Sequence, residues 1–185
     1  ELDIHDKLKH FPIGLDLHTQ RWLIEDDPLK KINFYIEVRN SNVNIINNKI
    51  FCDSHLKITN KEREKMYEIL KKNPRIDFLE SLIGFENIIK KYKEYKFVLS
   101  PEGNGLDCHR TWELFLLGCI VITKSSSLNQ MWIENDLPVI IIEDWNELNN
   151  GLKIKLKEWY IKYNKFTDYN HIIKRFKYNY WLPSK

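Results

Sequence analysis

The sequence contains no alanine, and only three cysteines and six glycines in 185 residues. Lys, Ile, Asn, Tyr and Phe abound in their place, residues of AT-rich codons, which marks the source and carries no chemistry. Cys52, Cys108 and Cys119 form an odd set without C-x-x-C spacing. That excludes a disulfide scaffold and a zinc knuckle and fits a reducing compartment such as the cytoplasm. No run of about 18 apolar residues exists, so no spanning helix is expected, and no basic stretch followed by an apolar one marks a secretory leader at the start. The chain opens on Glu1 rather than Met, which leaves room for an anchor or domain upstream. A strong charge of one sign is also missing. Twenty-nine Lys and Arg face 26 Asp and Glu, for a net charge of +3, both signs being interspersed except in a basic C-terminal third. A nucleic-acid reader carries a larger basic excess on one face, so nucleic acid is not an expected partner.

What is present is an ordinary globular balance: 43% apolar, 30% charged and 13% aromatic residues, which excludes collagen-like and disordered chains. The length predicts one domain that buries roughly 70% of the surface of the unfolded chain. Three stretches are expected within it: an entry loop and helix over 1–48, a core over 49–150, and C-terminal helices over 151–185 that pack on that core.

Asp27-Pro28 reads as an acidic cap followed by Pro in a first helical turn, and opens a helix to about Asn40 with Leu29, Ile32 and Tyr35 or Ile36 inward. Lys49–Asp53 is β-prone. A charged helix follows the Thr59-Asn60 cap and turns Met66, Ile69 and Leu70 inward. Ile76–Leu79 reads as a strand, Phe85–Tyr92 as a helix, Lys96–Ser100 as a strand, Cys108–Leu117 as a helix and Gly118–Thr123 as an apolar strand. Leu128–Trp132 is a short helix, Pro138–Ile142 a last strand, and the chain is helical again after Asp144-Trp145. Strands without polar alternation, separated by helices, are buried on both faces. The expected fold is therefore α/β, a Rossmann-like three-layer domain with a mostly parallel sheet.

The most informative segment is Ser100-Pro-Glu-Gly-Asn-Gly-Leu-Asp-Cys-His-Arg-Thr-Trp-Glu113. A strand ends, Gly103 and Gly105 let a ligand approach the backbone, Asp107 can cap, and a helix begins. Ligands of open α/β sheets bind beyond the carboxyl ends of strands, where a helix N-terminus offers its N–H groups to an anion. Arg110 can pair with a diphosphate in a bidentate way that a lysine cannot copy. Glu102 and Glu113 can accept hydrogen bonds from ribose or sugar hydroxyls, and His109 shares a helix face with Glu113. The competing reading pairs Arg110 with Glu113 on a surface and leaves His109 a supporting residue.

Lys124, Ser125 and Ser126 form a second loop at the same edge, able to supply an ammonium and hydroxyls to a diphosphate or simply to cap the next helix. His18, two residues after Asp16, can act as a base, contact the donor or pack within its loop, and His18 and His109 are the candidate catalytic residues; His55 is open to a functional or a packing reading. No Asp-x-Asp metal motif is present, so no metal or other cofactor is expected. Lys174, Arg175 and Lys177 with Phe176 and Tyr178 read first as aromatic cover for the core and only second as a membrane-surface contact.

The run from Phe97 to Glu113, then Leu117-Gly-Cys-Ile-Val-Ile-Thr-Lys-Ser-Ser126 and Asp136-Leu-Pro-Val-Ile-Ile-Ile-Glu-Asp-Trp145, resembles the C-terminal, donor-binding half of exostosin-like glycosyltransferases. Pro12-Ile-Gly-Leu-Asp-Leu-His-Thr19 resembles a segment that precedes that half. The resemblance covers roughly 11–19 and 96–148. It implies a GT-B arrangement in which a nucleotide-diphosphate sugar lies on this half while a separate N-terminal domain meets a glycan or protein hydroxyl acceptor. By position, Arg110 would contact the diphosphate, Glu113 the ribose, and Gly103, Asn104 and Gly105 would line the donor. Glu102 and Glu113 lie further apart than the paired glutamates of many retaining GT-B enzymes, which leaves retention or inversion open. The alternative is a non-catalytic half-transferase acting as a nucleotide-sugar binding or interaction module.

Overall fold

The computed structural model describes residues 11–19, 27–56 and 61–182. The expected Thr59-Asn60 cap lies outside these. Five strands form one parallel sheet: β1 (Ile46–Cys52), β2 (Ile76–Phe78), β3 (Tyr95–Leu99), β4 (Ile120–Lys124) and β5 (Val139–Ile142), in the order β2-β1-β3-β4-β5. This is the Rossmann-like three-layer α/β fold expected. The connecting helices are α1 (Pro28–Asn40), α2 (Lys61–Leu70), α3 (Phe85–Lys93), α4 (His109–Leu117), α5 (Asn129–Glu134), α6 (Leu152–Tyr163), α7 (Tyr169–Arg175) and α8 (Tyr178–Trp181). Among the described residues no helix is long and apolar enough to cross a membrane.

The sheet is apolar on both sides because successive side chains alternate between two cores. Ile50, Cys52, Phe97, Leu99, Ile120 and Ile122 face α2 and α6, while Phe51, Val98 and Val121 face α1, α3, α4 and α7. β1 begins at Ile46, ahead of the expected Lys49. The Ile46 amide donates to the Glu94 carbonyl at 2.8 Å, and the register against β3 shifts between Ile46 and Ile50.

Asp27 caps α1 as expected, its side chain accepting from the Leu29 amide. The buried face of that helix agrees with the expected one at Tyr35 and differs elsewhere. Leu29 is 70% exposed, and Lys31, Tyr35 and Val38 are buried. Lys31 is tolerated inside because its ammonium donates to the carbonyl of Leu17 at 2.8 Å in the entry loop. At the other end of α1, Arg39 donates to the carbonyls of Leu116 (2.7 Å) and Phe115 at the end of α4, and to Thr167 before α7. Gly118 closes α4 in the left-handed region, φ 83°, which a side chain would strain. Lys96, inside the fold, donates to the Gly118 carbonyl at 3.0 Å and to the Thr167 hydroxyl at 2.9 Å.

The basic aromatic tail covers the core, as its first reading held. Phe176 and Trp181 meet Trp112 edge-on, at centroid separations of 5.8 and 5.9 Å. Cys52, Cys108 and Cys119 are free thiols, and burial pushes Cys52 up to about 11 and Cys119 up to about 12.

Candidate anion site at the carboxyl edge of the sheet

The strand order reverses between β1 and β3: from β1 the chain passes to β2 on one side, and from β3 it passes to β4 on the other. The loops leaving these neighbours therefore part and open a crevice at their carboxyl ends. Asp53, the first residue beyond β1, stands on one side of it. The 100–108 loop and the start of α4 stand on the other.

Arg110 spans the crevice. Its Nε donates to the Tyr92 hydroxyl at 3.2 Å and lies 3.4 Å from Asp53 Oδ1, the two charged side chains being 14% and 15% exposed. Burial disfavours the guanidinium charge, but Asp53 and Tyr92 more than offset this and hold Arg110 above its ordinary pKa. Both terminal nitrogens of Arg110 make no hydrogen bond among the described residues. Burial, followed by the charge of Asp53, raises the Tyr92 hydroxyl, and Glu113 adds to it. Glu113 is 3% exposed, so it joins the buried polar group behind Arg110 instead of pairing with it on a surface.

A second guanidinium lies beside the first. Arg63 of α2 is buried, its Nε donating to the Glu102 carbonyl at 2.9 Å. Burial lowers its pKa and the neighbouring Arg110 charge lowers it further. The loop passes so close that a Cβ on Gly103 would stand 2.9 Å from Arg63 Nη2 and 3.3 Å from Cys108 Sγ. Glycine is the residue that admits this approach. The Gly103 amide donates to the Gly105 carbonyl at 3.1 Å, folding the loop back on itself, with Asn104 and Gly105 exposed at its tip.

Asp107 does not cap α4; Cys108 holds the capping position without a side-chain hydrogen bond. The Asp107 carboxylate instead accepts from the Ile13 amide and from Trp112 Nε1, both at 2.8 Å, and burial raises its pKa. The entry loop is thereby drawn across the helix N-terminus. His109 Nδ1 lies 2.8 Å from the Gly14 carbonyl; a carbonyl only accepts, so that nitrogen carries the proton and Nε2 of the neutral ring is an acceptor. The His18 ring meets His109 edge-on at 5.9 Å. His18 is 78% exposed rather than packed, with Nδ1 3.3 Å from Oδ1 of the buried Asp16. That oxygen also accepts from the Thr19 amide.

The second loop is more committed to the fold. Lys124 Nζ donates to Glu62 Oε1 at 2.9 Å, where Trp145 Nε1 also donates at 2.8 Å. The Glu62 bond raises Lys124, and the Glu102 charge reaches it as well. Ser125 Oγ accepts from Asn129 Nδ2, and Ser126 Oγ accepts from the Leu128 amide; Leu128 holds the N-cap of α5 and neither serine caps that helix. His55 stacks on Tyr67 at 4.7 Å and meets Phe78 edge-on, a packing role.

The crevice thus brings Arg110, Glu102 and Gly103 together with Asp53 and Arg63, with Asn104 and Gly105 at the tip of the loop, while His109 and His18 pair with each other and with the entry loop. Sequence reading missed Asp53 and Arg63. Both carried a signal: Asp53 directly follows a strand, and Arg63 occupies a core position in the row with Met66 and Leu70. Among the described residues no three His, Cys, Asp or Glu side chains could hold a metal ion. No protein-family model matches the chain, and no curated protein does. The site is therefore read from its own chemistry: two adjacent guanidiniums and a glycine loop at a parallel-sheet switch point suit an anion with several oxygens.

Proposed function

We propose that the crevice between β1 and β3 binds a nucleotide-diphosphate sugar and that the chain serves glycosyl transfer to a hydroxyl acceptor on a glycan or protein. The observation that carries this reading is Arg110, a guanidinium locked in place through Nε with both terminal nitrogens left to meet a ligand. The similarity of the 97–113 run to the exostosin-like donor half supports it and gives the acceptor to a separate N-terminal domain; Glu113, which the same similarity assigns to the ribose, lies 3% exposed behind Arg110.

In this reading the diphosphate lies against Arg110, Arg63 and the Gly103–Gly105 backbone, with Glu102 on the sugar side and Lys124, Ser125 and Ser126 beyond it. Asp107 contributes by holding the loop. As the bond between the sugar's anomeric carbon and the diphosphate oxygen breaks, the charge on the departing nucleotide is stabilised by the guanidiniums and the first turn of α4. His18, oriented by Asp16, accepts the acceptor's hydroxyl proton as that hydroxyl oxygen bonds to the anomeric carbon, and His109 offers Nε2 beside it.

Calorimetry of the whole chain with uridine and guanosine diphosphates and their sugar conjugates, with and without a chelator, tests this. Arg110→Met should weaken the preferred nucleotide about ten- to hundred-fold, the loss of a charged hydrogen bond of about 1.5–3 kcal/mol. Equal affinity in both proteins would refute the assignment. A second reading, a nucleotide-sugar module without turnover, is favoured by the engagement of Lys124, Ser125 and Ser126 with neighbouring side chains and amides. Tight binding without transfer or hydrolysis of the bound sugar would select it.

A further inference from the structure

Helix α6 has its apolar residues on two opposite sides. Leu152 and Leu156 are buried against the sheet with Trp159 and Tyr163 beside them. At 100° per residue Ile154 and Ile161 fall on the opposite pole, within about 20° of each other and about 10 Å apart along the axis. They are 65% and 81% exposed. A solvated helix usually turns polar residues to that pole. Around the two isoleucines stand the exposed Lys153, Lys157, Lys162 and Lys165, against Glu158, the one acidic residue of α6. Lys162 and Lys165 lay their ammoniums over the rings of Tyr163 and Phe166, at 4.9 and 4.8 Å, so their stems cover apolar surface while their charges stay in water. At the start of the helix Lys153 and Ile154 continue into a groove of about 590 Å³ where Lys72 and Arg75 add two more cations.

We infer that this face of α6 docks on the surface of an anionic lipid bilayer, with Ile154 and Ile161 entering the interface and the lysines meeting lipid phosphates. Charge complementarity selects that occupant. A second copy of the chain would bring lysines against lysines. A specific protein partner needs about 800 Å² on each side with an apolar centre, far more than two isoleucines offer. A bilayer needs only shallow apolar tips inside a cationic ring. The contact lies on a different element from the Lys174–Tyr178 segment that the sequence offered for such a role.

The test is co-sedimentation of the whole chain with phosphatidylcholine vesicles, with and without phosphatidylglycerol, at low and high salt. Binding to the anionic vesicles alone, weakened by salt, is expected. Ile154→Ser with Ile161→Ser should lower the partition coefficient at least about ten-fold, and Lys153→Gln, Lys157→Gln and Lys162→Gln together about a hundred-fold. All five positions are exposed, so thermal unfolding should be unchanged in both variants, which separates a lost contact from a lost fold. Three results would overturn the inference: no binding to anionic vesicles, vesicle binding that survives the isoleucine changes and is matched by a soluble polyanion such as heparin, or a dimer in sedimentation that dissociates when Ile161 is replaced by Asp.

Discussion

Lys96 makes the stability of this fold depend on pH in a direction that can be calculated. Its side chain lies inside, 8% exposed, between the Gly118 carbonyl and the Thr167 hydroxyl. Burial, aided by the nearby Arg39 and Lys93 charges, lowers its pKa from 10.5 to about 8. The unfolded chain then holds this proton more tightly than the folded one, so protonation favours unfolding and stability rises as pH rises from about 8 towards 10.5. The full effect is about 3 kcal/mol, and the portion gained between about pH 8 and about pH 9 is about 1 kcal/mol. Cys52 and Cys119 act the other way, because their raised pKa values cost stability once an unfolded thiol ionises, from about 9 upward. The Cys52 contribution is common to wild type and Lys96→Met; the Lys96 charge lowers Cys119, so its loss raises that thiol further, but both folded thiols stay protonated up to about pH 9 in either protein and the difference between the two proteins over this window belongs to Lys96. Urea unfolding of both proteins at the two pH values, with equal slopes, should show wild type gaining about 1 kcal/mol on the variant. Identical pH dependence in the two would refute the burial argument.

The crevice yields three more expectations besides the Arg110 test. Asp53→Asn should destabilise the fold by about 2–3 kcal/mol, because it strands a largely buried guanidinium, and should cost at least about 1 kcal/mol less in an Arg110→Met background; additive losses in denaturant titrations would show that the pair is not coupled. Gly103→Ala should displace the Arg63 guanidinium and weaken nucleotide diphosphate binding about ten-fold for at most about 1–2 kcal/mol of stability; calorimetry in an Arg63→Ala background should remove most of that penalty, and an unchanged penalty would mean that the added Cβ acts elsewhere. His18→Gln should abolish transfer while leaving nucleotide affinity within about two-fold, since the ring is exposed and its role is with the acceptor's proton; a parallel loss of affinity would place it in donor binding instead.

Much of the fold was legible because its strands are buried on both faces. Val98, Val121 and Ile140 sit in runs with no polar alternation that are separated by helices, the pattern of a covered parallel sheet. Asp27-Pro28 gave the start of α1 from local chemistry alone. Tyr35 on the inward face of that helix was legible, but Lys31 was not, because its place inside depends on the Leu17 carbonyl, supplied by a loop that no periodicity reveals. The glycine loop and Arg110 could be placed at the mouth of the crevice from the strand, turn and helix order. The fixing of Arg110 by Asp53 and Tyr92, and the approach of Arg63, arise from the sheet order β2-β1-β3, which brings residues from three separate segments together. Asp107 shows the same limit: a residue with the local chemistry of a cap was drawn to a distant amide and an indole.

Arg39 ties the chain's beginning to its end. Its guanidinium bonds reach partners 76, 77 and 128 positions away along the sequence. These contacts couple segments that are far apart along the chain, so the docking of α1 and that of the α6–α7 connection depend on each other. The first helix and the last third of the molecule share this arginine, and removing either would strand it or leave carbonyls at the end of α4 without their donor. A protease that frees one terminal segment should therefore hasten loss of the other. Shortening the chain to its five-stranded centre would weaken the platform on which the glycine loop rests.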